Sequence, residues 1–418
     1  MKSRTSLWVL LPLLTLVLTA CSVVKTSEDS PPSENNVQSN DIDNADPEEE
    51  PTSSADHNEA DCEDPFKGTN PAFRTDGWDT NFCIHSIDYD EIFSGGPPRD
   101  GIPPLDAPRF ETVESADTWI EDVEPVIFLD HKGDVRAYPL QILTWHEIVN
   151  DEVGGSPVAV TFCPLCNTAL VFQRPIIKGE TLTFGTSGNL RYSDLVMWDR
   201  QTESWWQQFN GEAIVGDLTG TQLELLPSAI ISWADFKNQY PDGQVLSIET
   251  GFVRSYGRNP YSGYDNVSSY PFAFTGDLND QLPAMARVVG INLDGNLGGA
   301  YSLDLMQEKL VLNEILGELP VAIFWKSGTA SALDSSTIAN GRDVGTTGVF
   351  DRQVNSQVLT FTALENGLFL DQETGSTWDI LGLAVDGPLA GNKMVPMAHH
   401  DTFWFAWAAF VPGGSLTQ

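Results

Sequence analysis

The chain has 418 residues and a formal net charge of −37, from 59 acidic and 22 basic residues. This excess of acids argues against nucleic acid as a partner, because neutralising phosphates requires Lys and Arg. Apolar residues make up 41% of the chain, with 12 Trp and 21 Phe. The chain can therefore build large aromatic cores, and its length suits two domains of ordinary size.

The first 21 residues are predicted to be a lipoprotein signal peptide. Lys2 and Arg4 form a charged start, and the apolar run from Leu7 to Leu18 is too short to span a bilayer. The run ends in Leu18-Thr19-Ala20-Cys21, which resembles a bacterial lipobox, so Cys21 is the predicted lipidation site. The alternative is plain secretion with a chance cysteine. We expect an extracytoplasmic protein, lipid-anchored to the cell membrane or the outer membrane.

Residues 22–64 are predicted to form a disordered acidic linker. Fourteen acids and no Lys or Arg lie between Thr26 and Asp64, and large apolar residues are almost absent. Such a segment cannot bury enough surface to offset its ordering entropy. An N-terminal extension, residues 65–125, follows. Cys62, at the end of the linker, and Cys83, in the extension, are predicted to form a structural disulfide, as expected in an oxidising compartment.

An internal repeat divides the remainder into copy one, residues 126–250, and copy two, residues 287–413. At one constant offset, Ala137-Tyr138-Pro139-Leu140 matches Ala300-Tyr301-Ser302-Leu303, and Ala169-Leu170 matches Ala332-Leu333. The linker, 251–286, is rich in Tyr and Phe and is expected to pack across the interface between the copies. We predict a strand-rich α+β fold whose two tandem repeats pack as a pseudo-symmetric pair behind the disordered lipoprotein stalk.

Copy one is predicted to contain a hairpin, a helix, six short strands, a second helix and a closing strand. Pro139 suits the first turn of the first helix, and Gly154-Gly155 would stop it. In chain order, the predicted ranges are 126–130 and 134–138 for the hairpin, 139–151 for the helix, 158–162, 168–172, 181–184, 195–198, 204–209 and 212–215 for the strands, 228–240 for the second helix and 245–248 for the last strand.

The two copies differ at their most reactive positions. Copy one has His146, Cys163 and Cys166, where the alignment of copy two gives Lys309, Lys326 and Thr329. Because copy two forms its fold without these groups, they are better candidates for chemistry than for folding. A C-x-x-C places two sulfurs on one tight turn, where they form a disulfide or bind a soft metal ion.

Three functions remain open from these residues. In the leading hypothesis the protein is a thiol-dependent oxidoreductase with an unknown redox partner, and Cys163, Cys166 and His146 are catalytic. It is not of the thioredoxin type, because a β-like segment follows the second cysteine in place of a helix. The first alternative is a non-enzymatic metal-binding or metal-delivery protein for Cu or Zn, using both sulfurs with His146 or Met197. The second is a ligand-binding module in which the disulfide is structural.

Four further residues are candidate supporting groups. Glu147 is either an orienting carboxylate or a solvated charge. Asp199 and Arg200 lie in a turn between strands, where such residues most often form a structural ion pair. Ser187 lies in a glycine-rich loop that could approach a ligand, but it lacks the strand-to-helix elbow of a nucleophilic serine. His146 shares its helix face with apolar residues, so a satisfied core histidine is its ordinary role.

Six segments stand out as linked motifs: Ser94–Pro103, Arg136–Pro139, Trp145–Asp151, Cys163–Cys166, Phe184–Gly188 and Ser193–Ser204. Together they resemble the DUF3179 family over roughly residues 78–413. The resemblance implies an extracytoplasmic bacterial or archaeal protein. Some relatives are similar to selenoproteins at the two-cysteine motif, which favours redox use. Phe162 and Asn167 stand where the family usually has Tyr and Gly, and neither change removes a sulfur.

Overall fold

The computed structural model describes residues 70–293 and 298–418, together with Cys62, Pro65, Phe66 and Gly68. The predicted signal peptide, its lipidation site Cys21 and, except for Cys62, the acidic linker up to residue 64 lie outside the described residues. In the described part, strands far outnumber helices, so the predicted strand-rich α+β class is confirmed. No helix of this part is long and apolar enough to cross a membrane.

The described residues up to 250 form short strands and three helices. The strands are β1 (Ile92–Ser94), β2 (Phe110–Thr112), β3 (Pro125–His131), β4 (Asp134–Pro139), β5 (Ile148–Val153), β6 (Ser156–Cys163), β7 (Thr168–Gln173), β8 (Ile176–Ile177), β9 (Glu180–Thr181), β10 (Phe184–Arg191), β11 (Asp194–Asp199), β12 (Trp205–Gln207), β13 (Ala213–Val215), β14 (Glu224–Leu226), β15 (Ala229–Ser232) and β16 (Gln244–Leu246). The helices are α1 (Val113–Ala116), α2 (Leu140–His146) and α3 (Trp233–Gln239), with a 3-10 turn at Tyr89–Glu91.

The described residues after 286 form a similar series. The strands are β17 (Arg287–Asn292), β18 (Gly298–Ser302), β19 (Val311–Leu316), β20 (Leu319–Lys326), β21 (Thr346–Asp351), β22 (Gln353–Val354), β23 (Gln357–Val358), β24 (Phe361–Ala363), β25 (Phe369–Asp371), β26 (Thr377–Trp378), β27 (Ala384–Asp386), β28 (Val395–Pro396), β29 (His400–Phe403) and β30 (Ser415–Thr417). The helices are α4 (Leu303–Lys309) and α5 (Trp404–Phe410), with a 3-10 turn at Ile338–Asn340.

The same three sheets occur in each half of the fold. In the first half the strand orders are β15-β3-β4-β16-β2, β14-β7-β6-β5 and β1-β10-β11-β12-β13. In the second they are β29-β17-β18-β30, β28-β21-β20-β19 and β24-β25-β26-β27. Each half contains an equivalent parallel strand pair, β4 with β16 and β18 with β30. This correspondence agrees with tandem repeats, whose boundaries at 126–250 and 287–413 remain predictions.

The two halves pack against each other through equivalent strands. Strand β7 contacts β29, and its counterpart β21 contacts β15, the counterpart of β29. The largest hydrophobic cluster contains buried residues of both halves, among them Phe162 and Trp407. Phe274 of the linker packs against Tyr192 of the first half and Phe405 of the second. The linker therefore contacts both halves, and the core is continuous between them.

Both helices predicted in copy one are too long. The first ends at His146 because Glu147 takes a φ of +58°, and the β-branched Ile148 and Val149 continue as β5. The second begins only at Trp233, because Ser232 caps it by accepting a hydrogen bond from Asp235 N–H at 3.0 Å. The predicted disulfide between Cys62 and Cys83 is confirmed.

Candidate functional site

The C-x-x-C segment forms a tight turn between β6 and β7. Cys163 ends β6 and pairs with Thr168, the first residue of β7. Asn167 N–H donates to the Pro164 carbonyl at 3.3 Å, and Asn167 has a φ of +56°. Asn adopts this left-handed conformation more readily than most residues, which explains how it replaces the Gly usual at this position. Because a strand follows, no helix begins at the second cysteine.

Both sulfurs lie against the carbonyl oxygen of Ser193. The distances are 3.9 Å from Cys163 Sγ and 3.5 Å from Cys166 Sγ. The two cysteines are not bonded to each other, and their exposed fractions are only 2% and 0%. The pair is therefore a buried dithiol whose S–H groups share one acceptor.

The second half of the chain holds this turn in place. The Cys166 carbonyl accepts hydrogen bonds from Phe403 N–H at 3.1 Å and from the Thr402 hydroxyl at 3.0 Å. The Asn167 side chain donates to the Asp401 carbonyl at 3.1 Å. All three partners belong to β29, so copy two supports the cysteine turn of copy one through its backbone.

The third group beside the sulfurs is Asp194, which the sequence analysis did not select. One carboxylate oxygen of Asp194 and the two sulfurs all lie within 4.8 Å of one another. Asp194 is fully buried; its Oδ2 accepts from Phe209 N–H at 2.9 Å and from the Gln207 side chain. Its Oδ1 is buried without a hydrogen-bond partner among the described residues. An acid followed by four apolar strand residues was the available signal.

Burial dominates the protonation of the cluster. It raises the pKa of Cys163 and raises that of Cys166 well above its ordinary value. The pKa of Asp194 rises to about 6 through burial, although its hydrogen bonds lower it. Glu147, also buried, has its pKa raised to about 8 by burial and by repulsion from Asp194. None of these pKa values is lowered by a nearby basic side chain, so the two thiols keep their protons at neutral pH unless a cation displaces them.

Glu147 is the residue that ends α2, and its backbone has a positive φ of +58°. Its N–H donates to the Leu143 carbonyl at 2.7 Å, and its carbonyl accepts from Phe162 N–H at 2.8 Å. In copy two, Leu310 makes the equivalent bonds to Met306 and Trp325, with a φ of +63°. The backbone arrangement is thus common to both copies, whereas the buried carboxyl group is specific to copy one.

A cavity of about 350 Å³ lies beside the cysteine turn. Glu147, Leu165 and Leu195 form its inner wall, and Tyr261 and Phe272 of the linker form part of its outer wall. Leu165 lies between the two cysteines in sequence, and Leu195 directly follows Asp194. The buried cluster therefore adjoins a cavity of the size that small ligands occupy.

Residues 99–414 match the family described as "Protein of unknown function (DUF3179)". The chain belongs to the DUF3179 family. The searches of curated proteins and of solved structures found no match. Since the family description contains no activity, the function of this DUF3179 protein has to be argued from its site.

His146 does not lie with the sulfurs in this DUF3179 protein, contrary to the prediction. Its Nδ1 is 2.7 Å from the Pro103 carbonyl oxygen, and its Nε2 is 2.7 Å from the Tyr256 hydroxyl. Burial lowers its pKa. Both ring nitrogens are thus occupied, and the group of potential ligands around the cysteines does not include it. Met197, the other predicted ligand, is fully buried on β11 in the same hydrophobic cluster as the cysteines; its role as a ligand remains a prediction.

Asp199 performs a turn-stabilising role that occurs twice in the DUF3179 fold. Its carboxylate accepts from Thr202 N–H at 2.7 Å and from the Trp206 indole at 2.9 Å. In copy two, Asp371 accepts the same bonds from Thr374 N–H at 2.6 Å and from Trp378 at 2.9 Å. This duplication assigns the residue to the fold rather than to chemistry.

Arg200 and Ser187 are also held by local structural contacts. Arg200 pairs with Asp100 at 3.3 Å and Asp106 at 3.2 Å in the N-terminal extension, rather than with Asp199. The Ser187 hydroxyl donates to the Val196 carbonyl and accepts from Asn189 N–H at 3.0 Å, across a bulge in β10. Among the predicted supporting residues, only Glu147 therefore lies beside the cysteine cluster.

Copy two replaces the cysteine turn with a long loop. Lys326 pairs with Thr346, where copy one pairs Cys163 with Thr168. Residues 327–345 therefore replace Pro164–Asn167, and β21, rather than the segment at Ala332-Leu333, is the counterpart of β7. The predicted match of Ala169-Leu170 with Ala332-Leu333 is wrong, and Thr329 is not the counterpart of Cys166. A match of only two apolar residues is too short to show whether the offset between the copies is still the same, so it did not reveal the insertion.

Proposed function

We propose that the protein is a metal-binding protein in which Cys163, Cys166 and Asp194 hold one thiophilic divalent ion such as Zn²⁺. The observation that carries the proposal is the compact group that the two sulfurs form with Asp194, the one group of three possible metal ligands among the described residues. Eleven buried side-chain atoms of these residues have no hydrogen-bond partner, and Asp194 Oδ1 is one of them, although its carboxyl group interacts with both thiols. An unplaced ion is one ordinary explanation for such an atom.

The spacing and charge of the donors support this proposal. Zn–S bonds of about 2.3 Å place tetrahedral sulfur ligands roughly 3.8 Å apart, so donors within 4.8 Å of one another need only a small contraction. Two thiolates and a carboxylate would carry three negative charges in a site without a basic neighbour. A divalent ion would offset most of that charge and favour the deprotonated thiols.

Three protein ligands also leave one coordination position open. Closed structural zinc sites have four protein ligands, whereas sites with three keep a position for water or substrate. The carboxylate, as a hard oxygen ligand, favours Zn²⁺ over Cu⁺. We therefore prefer zinc among the soft metals considered, with one coordination position left for water or another ligand.

The purified full-length chain, with Cys163 and Cys166 reduced and the Cys62–Cys83 disulfide intact, is expected to bind one Zn²⁺ in competition with a chromophoric chelator at pH 7.5. Cys163→Ser and Asp194→Asn should each weaken the affinity about 100-fold or more, because each removes one of three ligands. His146→Gln should leave it unchanged, since both His146 ring nitrogens have other partners. Tight binding that survives both ligand substitutions, or no binding to the reduced chain, would contradict the proposal.

A redox function is the second candidate. The observation that favours it is that both thiols donate to the carbonyl oxygen of Ser193, which keeps them side by side. Raised thiol pKa values disfavour thiolates, so such a pair should be strongly reducing. Its potential is expected to be more negative than about −270 mV, the value for thioredoxin. Counting thiols of the metal-free chain in dithiothreitol redox buffers would measure it, with Cys163→Ser as the control. A transition at a higher potential would contradict the expected reducing character, and the absence of a two-electron transition that depends on Cys163 would argue against this candidate.

We also propose that the protein functions outside the cytoplasm, anchored through lipid at Cys21. The disulfide between Cys62 and Cys83 supports an oxidising compartment, where such bonds persist. The partner that exchanges metal or electrons with the site is unknown.

A further inference from the structure

The cavity beside the cysteine turn has mostly apolar walls. Its volume of about 350 Å³ lies within the roughly 300–1,000 Å³ typical of small-molecule sites. Ile102, Leu165, Leu190, Leu195 and Phe272 line it, and Phe272 is half exposed at its outer side. No Lys, Arg or His is among the lining residues that the structure describes.

Three polar side chains in these walls lack hydrogen-bond partners among the described residues. They are the carboxyl group of Glu147, the amide of Asn189 and the hydroxyl of Tyr261. Glu147 is 7% exposed and Asn189 is 4% exposed. These groups line one cavity, so the polar group of a single bound molecule could pair with any of them.

The chemistry of these groups selects the ligand. With no basic side chain in the walls, an anion would lose its hydration without compensation. A cation would find a single carboxyl group, that of Glu147, in walls that are otherwise apolar or carry neutral polar groups. The amide and the phenol donate hydrogen bonds, and a carboxyl group does so in its protonated form. Apolar walls with neutral donors suit an uncharged molecule that offers an oxygen acceptor.

We propose that this cavity binds a neutral, mainly apolar small molecule whose carbonyl oxygen accepts a hydrogen bond from Glu147, Asn189 or Tyr261. None of the three proposed metal ligands is among the lining residues of this cavity, although Leu165 and Leu195 adjoin them in sequence. Copy two supports the assignment, because Leu310 ends α4 with the same backbone bonds that Glu147 makes at the end of α2. The carboxyl group is therefore dispensable for the helix end, and ligand binding gives it a reason to be there.

The test compares 9-fluorenone, a neutral planar ketone, with fluorene, the same ring system without the oxygen, as probes of the full-length chain. Binding is measured by quenching of tryptophan fluorescence at pH 7. We expect fluorenone to bind at least about tenfold more tightly, because fluorene leaves a buried donor unpaired. Leu165→Trp, which fills the cavity, should abolish binding of both probes.

Three variants then identify the donor: Glu147→Leu, Asn189→Leu and Tyr261→Phe. The preference for fluorenone should disappear in at least one of them, while binding of fluorene remains. Thermal unfolding checks that each variant is folded. Glu147→Leu is expected to fold, because Leu310 adopts the same positive φ at the equivalent position of copy two. If the wild-type chain binds neither probe or binds both equally, the proposal is overturned. A preference that survives in all three variants, or binding that survives Leu165→Trp, overturns it as well.

Discussion

Glu147→Leu is expected to stabilise the metal-free protein at alkaline pH. The pKa of Glu147 is about 8 in the folded chain and about 4.3 when unfolded. The folded state therefore holds a proton that the unfolded chain releases. The stability from this proton is fully present below the unfolded pKa and is lost as pH rises through the folded pKa. The difference in free energy of unfolding between Glu147→Leu and the wild type should therefore shift by about 4 kcal/mol in favour of the variant as the pH rises from 5 to 9.

Urea unfolding of both proteins at pH 5, 7 and 9, in the presence of a chelator, measures this difference. Glu152→Leu is the matched control, because Glu152 lies nearby on β5 with its side chain exposed; it should not reproduce the stabilisation expected of Glu147→Leu at pH 9. Some pH dependence should remain in Glu147→Leu, because Asp194 keeps a pKa of about 6. An equal effect of Glu147→Leu at all three pH values would show that the carboxyl group is not buried as described.

Asp265→Ala is expected to lower the free energy of unfolding by about 3 to 5 kcal/mol, the usual cost of removing one partner of a buried ion pair. Asp265 is fully buried in the linker and pairs with Arg287 at 2.9 Å and with Arg342 at 2.7 Å. Ser331 also donates to its carboxylate. Its removal would leave the Arg287 guanidinium, whose side chain is only 11% exposed, without a counter-charge.

The loss should be smaller in acid. Burial raises the pKa of Asp265, but Arg287, Ser331 and Arg342 together bring it below its ordinary value. Its contribution is present above the unfolded pKa, about 3.9, and is lost as pH falls through the folded pKa. Chemical unfolding at pH 7 and pH 3 tests this. Glu249→Ala is the control, because the exposed pair of Glu249 with Arg109 contributes at most about 1 kcal/mol. Similar losses in the two variants would contradict the prediction.

Local sequence patterns predicted the elements near the site well. Alternation and turn residues placed the hairpin of β3 and β4 and the strands β6 and β7 close to their observed ranges. The constant offset between the copies paired α2 with α4 correctly, because both helices end in a left-handed residue with equivalent bonds. The same offset failed beyond Lys326, where an insertion in copy two changes the spacing.

The surroundings of the cysteines were predicted less well. His146 is close to the cysteines in sequence, yet its ring faces Pro103 and Tyr256. Asp194 is far from Cys166 in sequence, yet it lies beside both sulfurs. Periodicity shows that a residue is inside the core, but it does not show which buried residues meet there.

By itself, the sequence determined the local features of this protein: its acidic surface, its strand-rich α+β class, the pairing of Cys62 with Cys83 and the cysteine turn. These follow from composition and short-range pattern, because turns and strands depend on neighbouring residues. Only the tertiary structure decided that Asp194 and Glu147, rather than His146, accompany Cys163 and Cys166. Pairing between distant strands brings these groups together, and the burial that follows raises their pKa values.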